Sequence, residues 1–225
     1  MSVLGVVTIG QAPREDIARS FAPHFDRAGI GIVQAGALDG LSEETIRSAL
    51  APSEGETTYI TRLLSGTSVE LAKRHVVPLL QQRINELESQ CDAVVVVCTG
   101  DFPMLTSGLP LYFPDQLLLQ AARDRQLDGG LGLVVPLSRQ TEDISAKWDE
   151  LGVTVHTAVA TPYGEADLAA AAAVLAVHRP GLIVLDCMGY TVAHGQAVRE
   201  ASECEVLVPQ EFIPRYVAQK LGEAE

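Results

Sequence analysis

The chain has 225 residues, a formal net charge of −13, 47% hydrophobic residues and 20% charged ones. That length holds one large domain or two small ones, with the composition of an ordinary globular protein. The acidic balance argues against sequence-independent binding of DNA or RNA and against docking on anionic lipid, both of which need clustered Lys and Arg. The predicted elements begin with "VLGVVTIG" (3–10), a buried strand; the opening residues lack the basic n-region and cleavage site of a secretory signal. "APREDIARSFAPHF" follows as a helix, with Pro13 placed for its first turn and Glu15 and Asp16 near its positive end. "GIGIVQAG" (29–36) is a second strand. "LSEETIRSALA" (41–51) is a short helix opened by Ser42, with Glu44 two residues on rather than three. Residues 57–63 and 68–74 read as a hairpin around "LSGT", 76–90 as a helix, and "DAVVVVC" (92–98) as a strand with no polar face. Such a strand belongs inside a parallel sheet covered on both sides.

The second half repeats the theme. Strands are predicted at 130–136, 153–160, 181–187 and 204–209. Helices are predicted at 138–152, with Ser138 as cap and Gly152 as stop, at 164–178 and at 211–222. Strands alternating with helices give parallel α/β sheets with right-handed crossovers. "LGVV" (4–7) matches "LGLV" (131–134), and "AVVVVCTG" (93–100) matches "LIVLDCMG" (182–189). The second pair is spaced less widely than the first, so the first half carries extra material, assigned to residues 41–74. The expected fold is α/β: two pseudo-symmetric lobes, each a parallel sheet flanked by helices. Lobe one takes 1–104 with 206–225 and lobe two 105–205, the C-terminal helix packing back on lobe one.

No apolar run reaches the roughly 20 residues that a membrane crossing takes. The four cysteines, Cys91, Cys98, Cys187 and Cys204, fit neither CxxC metal spacing nor a secreted disulfide framework, and the five histidines show no metal-ligand spacing. A cytoplasmic protein with reduced thiols and no metal is the expectation.

In open parallel sheets, ligands sit beyond the carboxyl ends of the strands. Three strand ends here carry chemistry: Thr8-Ile9-Gly10-Gln11, Cys98-Thr99-Gly100 and Asp186-Cys187-Met188-Gly189. Inverting a carbon next to a carbonyl requires taking a proton from one face and delivering one to the other, and two thiols on opposite cleft walls, one ionised and one not, can do so. A free thiol titrates near 8.5, and a following helix N-terminus lowers that. Gly100 and Gly189 let backbone N–H groups approach a bound oxygen, and Thr99 adds a hydroxyl. A thiol at the end of a valine run is ordinarily core, and it is the echo between the halves that makes Cys98 and Cys187 candidates. Cys91 and Cys204 have no such echo and are structural. Around "TIGQAPR", Thr8, Gln11 and Arg14 offer polar and cationic groups to an anion at a turn that enters a helix. Tyr190 either faces the ligand or caps the strand end, and His194 reads as a helix-surface residue. Asp39 and Asp101 read as loop-holding carboxylates, Tyr163 as a turn residue and the closing "GEAE" as a frayed tail.

The paired strands ending in Cys-x-Gly resemble the aspartate/glutamate/hydantoin racemase superfamily. "TIGQAPRED" (8–16), "LDGLS" (38–42), "PLLQQRINEL" (78–87) and "LDCMGY" (185–190) resemble, more narrowly, the AroM family within it. The resemblance implies two lobes, one catalytic cysteine per lobe and no cofactor; the family itself implies no particular reaction. In amino-acid racemases, Asn-Thr and Thr follow the two cysteines. Here Thr99-Gly100 and Met188-Gly189 follow, closer to the hydantoin-racemase branch, and Met188 cannot donate a hydrogen bond. Asp186 disfavours a thiolate at Cys187, which makes Cys98 the base and Cys187 the protonated partner.

The reading is a cofactor-independent racemase or isomerase acting on a small carboxylate or cyclic amide at an interlobe cleft. Cys98 and Cys187 are its acid–base pair, and Thr8, Gln11, Arg14, Thr99, Gly100, Met188, Gly189 and Tyr190 bind substrate. The alternatives are a non-catalytic small-molecule binder and a single-cysteine decarboxylase or cis–trans isomerase. The expected partner is the small ligand, with no nucleic acid and no membrane; a homodimer is an allowed assembly.

Overall fold

The computed structural model describes residues 2–163 and 167–223. It divides into two compact units, one of residues 1–114 with 214–225 and one of residues 115–213.

Unit one is built on a four-stranded parallel sheet. Strand β1 (Val3–Thr8) leads through helix α1 (Glu15–Ala28) to β2 (Gly31–Gly36), which pairs in register along β1. The chain then forms α2 (Glu43–Ala49), the antiparallel hairpin β3 (Thr58–Arg62) and β4 (Ser68–Ala72), helix α3 (Lys73–Leu87), β5 (Ala93–Val96) and the two-residue β6 (Leu111–Tyr112). The sheet order is β2-β1-β5-β6. All four residues of β5 are buried, because it lies between β1 and β6 with side chains packed on both faces.

Helix α4 (Pro114–Arg123) opens the second half. Unit two continues as β7 (Leu131–Val135), two short 3₁₀ turns around α5 (Thr141–Trp148), β8 (Val155–Val159), α6 (Leu168–Ala176), β9 (Leu182–Leu185), α7 (Val192–Ser202), β10 (Val206–Leu207) and the start of α8 (Pro209–Gly222), whose residues from Pro214 on belong to unit one. Its parallel sheet runs β8-β7-β9-β10, the same order that β2, β1, β5 and β6 take in unit one. The two cysteine-bearing strands, β5 and β9, thus occupy equivalent places. Unit one differs by α2 and the hairpin between its second and third strands, where unit two has α6 alone.

Several boundaries differ from expectation for identifiable reasons. Pro13 stands outside α1, whose N-cap is Arg14; the Ala12–Pro13 peptide is cis. Ser42 caps α2 as expected, accepting from the Thr45 amide at 3.1 Å. Ser138 lies in a 3₁₀ turn and does not cap α5, whereas Gly152 does stop the segment, in the left-handed conformation at φ 67°. Of the helix expected over 164–178, residues 164–166 lie outside the described residues, and Asp167 caps α6 by accepting from Ala170 N. The end of the "GEAE" tail, residues 224–225, also lies outside them. Helices α4 and α7 and strand β6 had no counterpart in the sequence reading. Helix α7 is fixed by a reciprocal cap: the Thr191 hydroxyl accepts from His194 N, and His194 Nδ1 accepts from Thr191 N at 3.1 Å. Thr191→Ala is expected to cost about 1 kcal/mol in urea unfolding; unchanged stability would show that the cap carries no weight. No helix among the described residues is long and apolar enough to cross a membrane.

Candidate functional site

In unit one, three chain segments meet where β1, β2 and β5 end. The Thr8 side chain is buried, and its hydroxyl accepts from Gly10 N, turning the chain out of β1. Asp39 holds this turn. One carboxylate oxygen accepts from Ala12 N at 2.8 Å and the other from Gly36 N at 2.7 Å. Gln11 turns its Oε1 to the Leu64 amide at the hairpin tip, at 3.0 Å. The Arg14 guanidinium is buried and forms a fork with Asp16, Nε to Oδ1 at 2.7 Å and Nη2 to Oδ2 at 2.5 Å. Burial pushes the Asp16 carboxyl up, but the hydrogen bonds and charge of Arg14 outweigh it and hold the group below its ordinary value. The cation expected to serve an incoming anion is therefore engaged by a carboxylate of its own helix.

Beyond β5, the Cys98 sulfur accepts from Gly100 N at 3.4 Å. Thr99 is buried. Gly100 is required by its neighbour: a Cβ there would lie 2.5 Å from Cε1 of Tyr59. Tyr59 comes from β3, packs on Phe102 with ring centroids 5.2 Å apart, and donates its hydroxyl to the Asp101 carbonyl. The hairpin covers Gly10 in the same way, through Thr61, whose Oγ1 would sit 2.4 Å from a Cβ. The extra segment of unit one thus closes over both strand ends.

Unit two repeats the turn. The Cys187 sulfur accepts from Gly189 N at 3.4 Å. A Cβ on Gly189 would lie 2.8 Å from the Tyr163 hydroxyl, so a tyrosine again lies against the glycine of Cys-x-Gly. Met188 is buried, and its carbonyl accepts from Gln210 Nε2 at 2.7 Å. Tyr190 belongs to the core rather than to an open surface: it is fully buried and donates its hydroxyl to the Ala160 carbonyl. Burial, then the neighbouring Cys187 and Asp186, push its phenol well above the usual range. His194 is occupied by the α7 cap, and burial lowers its proton affinity.

Asp186 corrects one inference from sequence. Its side chain is 0% exposed, yet it does not act on Cys187 as a lone negative charge. Lys147 Nζ of α5 stands 2.7 Å from Oδ2, and the Trp148 indole donates to the same oxygen at 2.7 Å. This compensating cation weakens the charge asymmetry from which Cys98 follows as the base. No sequence pattern announces it, because Lys147 and Asp186 are joined only by the fold.

All four cysteines are thiols. Cys91 and Cys204 donate to the carbonyls of Leu87 and Ser202 beside them, and burial pushes the Cys91 thiol up. Among the described residues, no group of three or more His, Cys, Asp or Glu is arranged to hold a metal.

Two parallel α/β units, each carrying a cysteine turn beyond the equivalent strand, give the chain an Asp/Glu racemase-like fold. Structures with this fold include the Picrophilus torridus aspartate racemase (10% identity, TM-score 0.58, covering 99% of this chain and 95% of that one). Unliganded arylmalonate decarboxylase matches at 14% identity and TM-score 0.60, over 99% and 93% of the two chains. The maleate isomerase Iso from Pseudomonas putida S16 matches at 12% identity and TM-score 0.57, over 97% and 93%. At such identities the likeness is one of fold. The chain belongs to the AroM family, described as AroM protein, which it matches over residues 4–221. No curated protein matches it in sequence.

Proposed function

We propose that this chain is a cofactor-independent racemase or isomerase acting on a small carboxylate or cyclic amide in the cytoplasm. Cys98 and Cys187 act on opposite faces of one carbon. One thiolate removes the proton next to the carbonyl, the other thiol delivers its proton to the far face, and the two sulfurs exchange protonation states with each turnover. The observation that carries the reading is the identity of the two turns: in each, the amide two residues on donates to the sulfur at 3.4 Å. An N–H aimed at sulfur favours the thiolate. Thr99, Gly100 and Gly189 line the substrate, with Thr8 and Gln11 shaping the wall on the side of β1. Tyr190 and Met188, both buried, position the Cys187 turn from behind.

The test is incorporation of solvent deuterium into a panel of small chiral carboxylates and hydantoins, by NMR, with Cys98→Ser and Cys187→Ser measured separately. Each substitution is expected to lower exchange by about 10²–10⁴-fold. Loss confined to one variant would replace the two-thiol reading with single-thiol chemistry, of the kind that a decarboxylase or a cis–trans isomerase performs. Saturable ligand binding with no exchange by the intact chain would make it a binding protein.

A further inference from the structure

Away from the strand ends, α1 and the unit-one part of α8 border an open concavity of about 260 Å³. It is lined by His24, Arg27, Ala28, Arg215, Ala218 and Gln219. Three of these side chains are basic and none is acidic, on a chain of net charge −13. Elsewhere, acids take up many of the cations: Arg47 pairs with Glu43, Arg83 with Glu86, Arg123 with Glu150, Arg125 with Glu205 and Arg199 with Glu211, while Arg62 and Arg179 stand singly, without an ion pair among the described residues. Arg27 and Arg215 have no ion-pair partner among the described residues. The negative end of α1 accounts for Arg27 and His24, which lie in its last turns, but not for Arg215, which comes from another helix. Glu223, the acid that Gln219 holds at 2.8 Å, is itself paired with Lys220 at 2.9 Å, and Asp26 does not line the concavity. Burial, then the charges of Arg27 and Arg215, lower the proton affinity of His24. The protein thus gathers three nitrogen bases and supplies no counter-charge.

We propose that this concavity is an oxyanion site that takes a phosphate dianion, free or as a monoester. Two guanidinium groups offer planar forks to tetrahedral oxygens, and a protonated His24 supplies a third charged donor. Binding favours the protonated form of His24, while the phosphate takes up a proton of its own over the same pH range, so the two protonations oppose each other and the dianion is bound best near neutral pH. The site stands apart from the thiol chemistry and does not depend on it.

The test is a titration of the full chain with inorganic phosphate and, separately, phenyl phosphate, following the His24 ring signals by NMR at pH 6 and pH 8, with acetate as control. Saturable binding is expected for phosphate and not for acetate, with the His24 ring signals moving. Arg27→Gln and Arg215→Gln are each expected to weaken it about tenfold or more. Tighter binding of phenyl phosphate would identify a monoester as the natural ligand, and equal binding would point to free phosphate. Unmoved His24 signals, or binding indifferent to both substitutions, would overturn the proposal, the second outcome placing phosphate elsewhere on the chain.

Discussion

Replacing Lys147 by methionine is expected to destabilise unit two by about 3–5 kcal/mol, the usual result of stripping the partner from a buried charge. The geometry leaves Asp186 little recourse. Its side chain is wholly buried, Lys147 is only 14% exposed, and the second carboxylate oxygen has no hydrogen-bond partner among the described residues. Without the ammonium, the Trp148 N–H alone cannot offset the desolvated charge. Asp186→Asn combined with Lys147→Met removes both charges and leaves an amide oxygen to accept from the indole N–H, so the double variant is expected to recover most of the loss. Trp148 is the only tryptophan and donates directly to Asp186, so its fluorescence reports unfolding at the pair itself. A loss below about 1 kcal/mol for Lys147→Met would show that the pair carries no net charge to compensate.

Gly36→Ala is expected to cost about 1–3 kcal/mol, near the upper end, and to loosen the turn after β1. A methyl group there would sit 2.5 Å from Asp39 Oδ1, 2.6 Å from Ala12 N and 2.6 Å from the Gly10 carbonyl. Two of these are backbone atoms of the Thr8–Ala12 turn, and the third is the carboxylate that ties the turn to β2. None can give way without releasing another. Guanidinium unfolding gives the cost. Wild-type stability in this variant would mean that the turn yields freely, and that Asp39 does not hold it.

The duplicated fold was legible because its signals are local. Unbroken apolar strands, glycine stops and the echo of "AVVVVCTG" in "LIVLDCMG" each occupy a few consecutive residues. The same locality accounts for what was missed. Helix α4 begins at Pro114 and Asp115 with good start chemistry, but in a stretch otherwise rich in turn formers. Helix α7 holds a glycine, Gly195, in its first turns and owes its start to the Thr191–His194 pair. At the candidate site, the cysteines and their glycines stand out in sequence. Tyr59 and Thr61 over Gly100 and Gly10, Tyr163 over Gly189 and Lys147 at Asp186 do not, since each contact joins separate elements. Arg14 shows the opposite failure: its charge was visible, but not that Asp16 would claim it.

The hairpin of unit one has a consequence for motion. Tyr59, Leu63, Val69 and Leu71 belong to the same buried cluster as Val7, Leu80, Ile84 and Val94. Swinging β3 and β4 away from the Cys98 turn would strip the core of the sheet, a step with nearly the free energy of melting the whole unit. The hairpin is therefore not a flap. Its backbone should open only when β1 and β5 open, as one cooperative block, and small molecules must reach the thiol without its help.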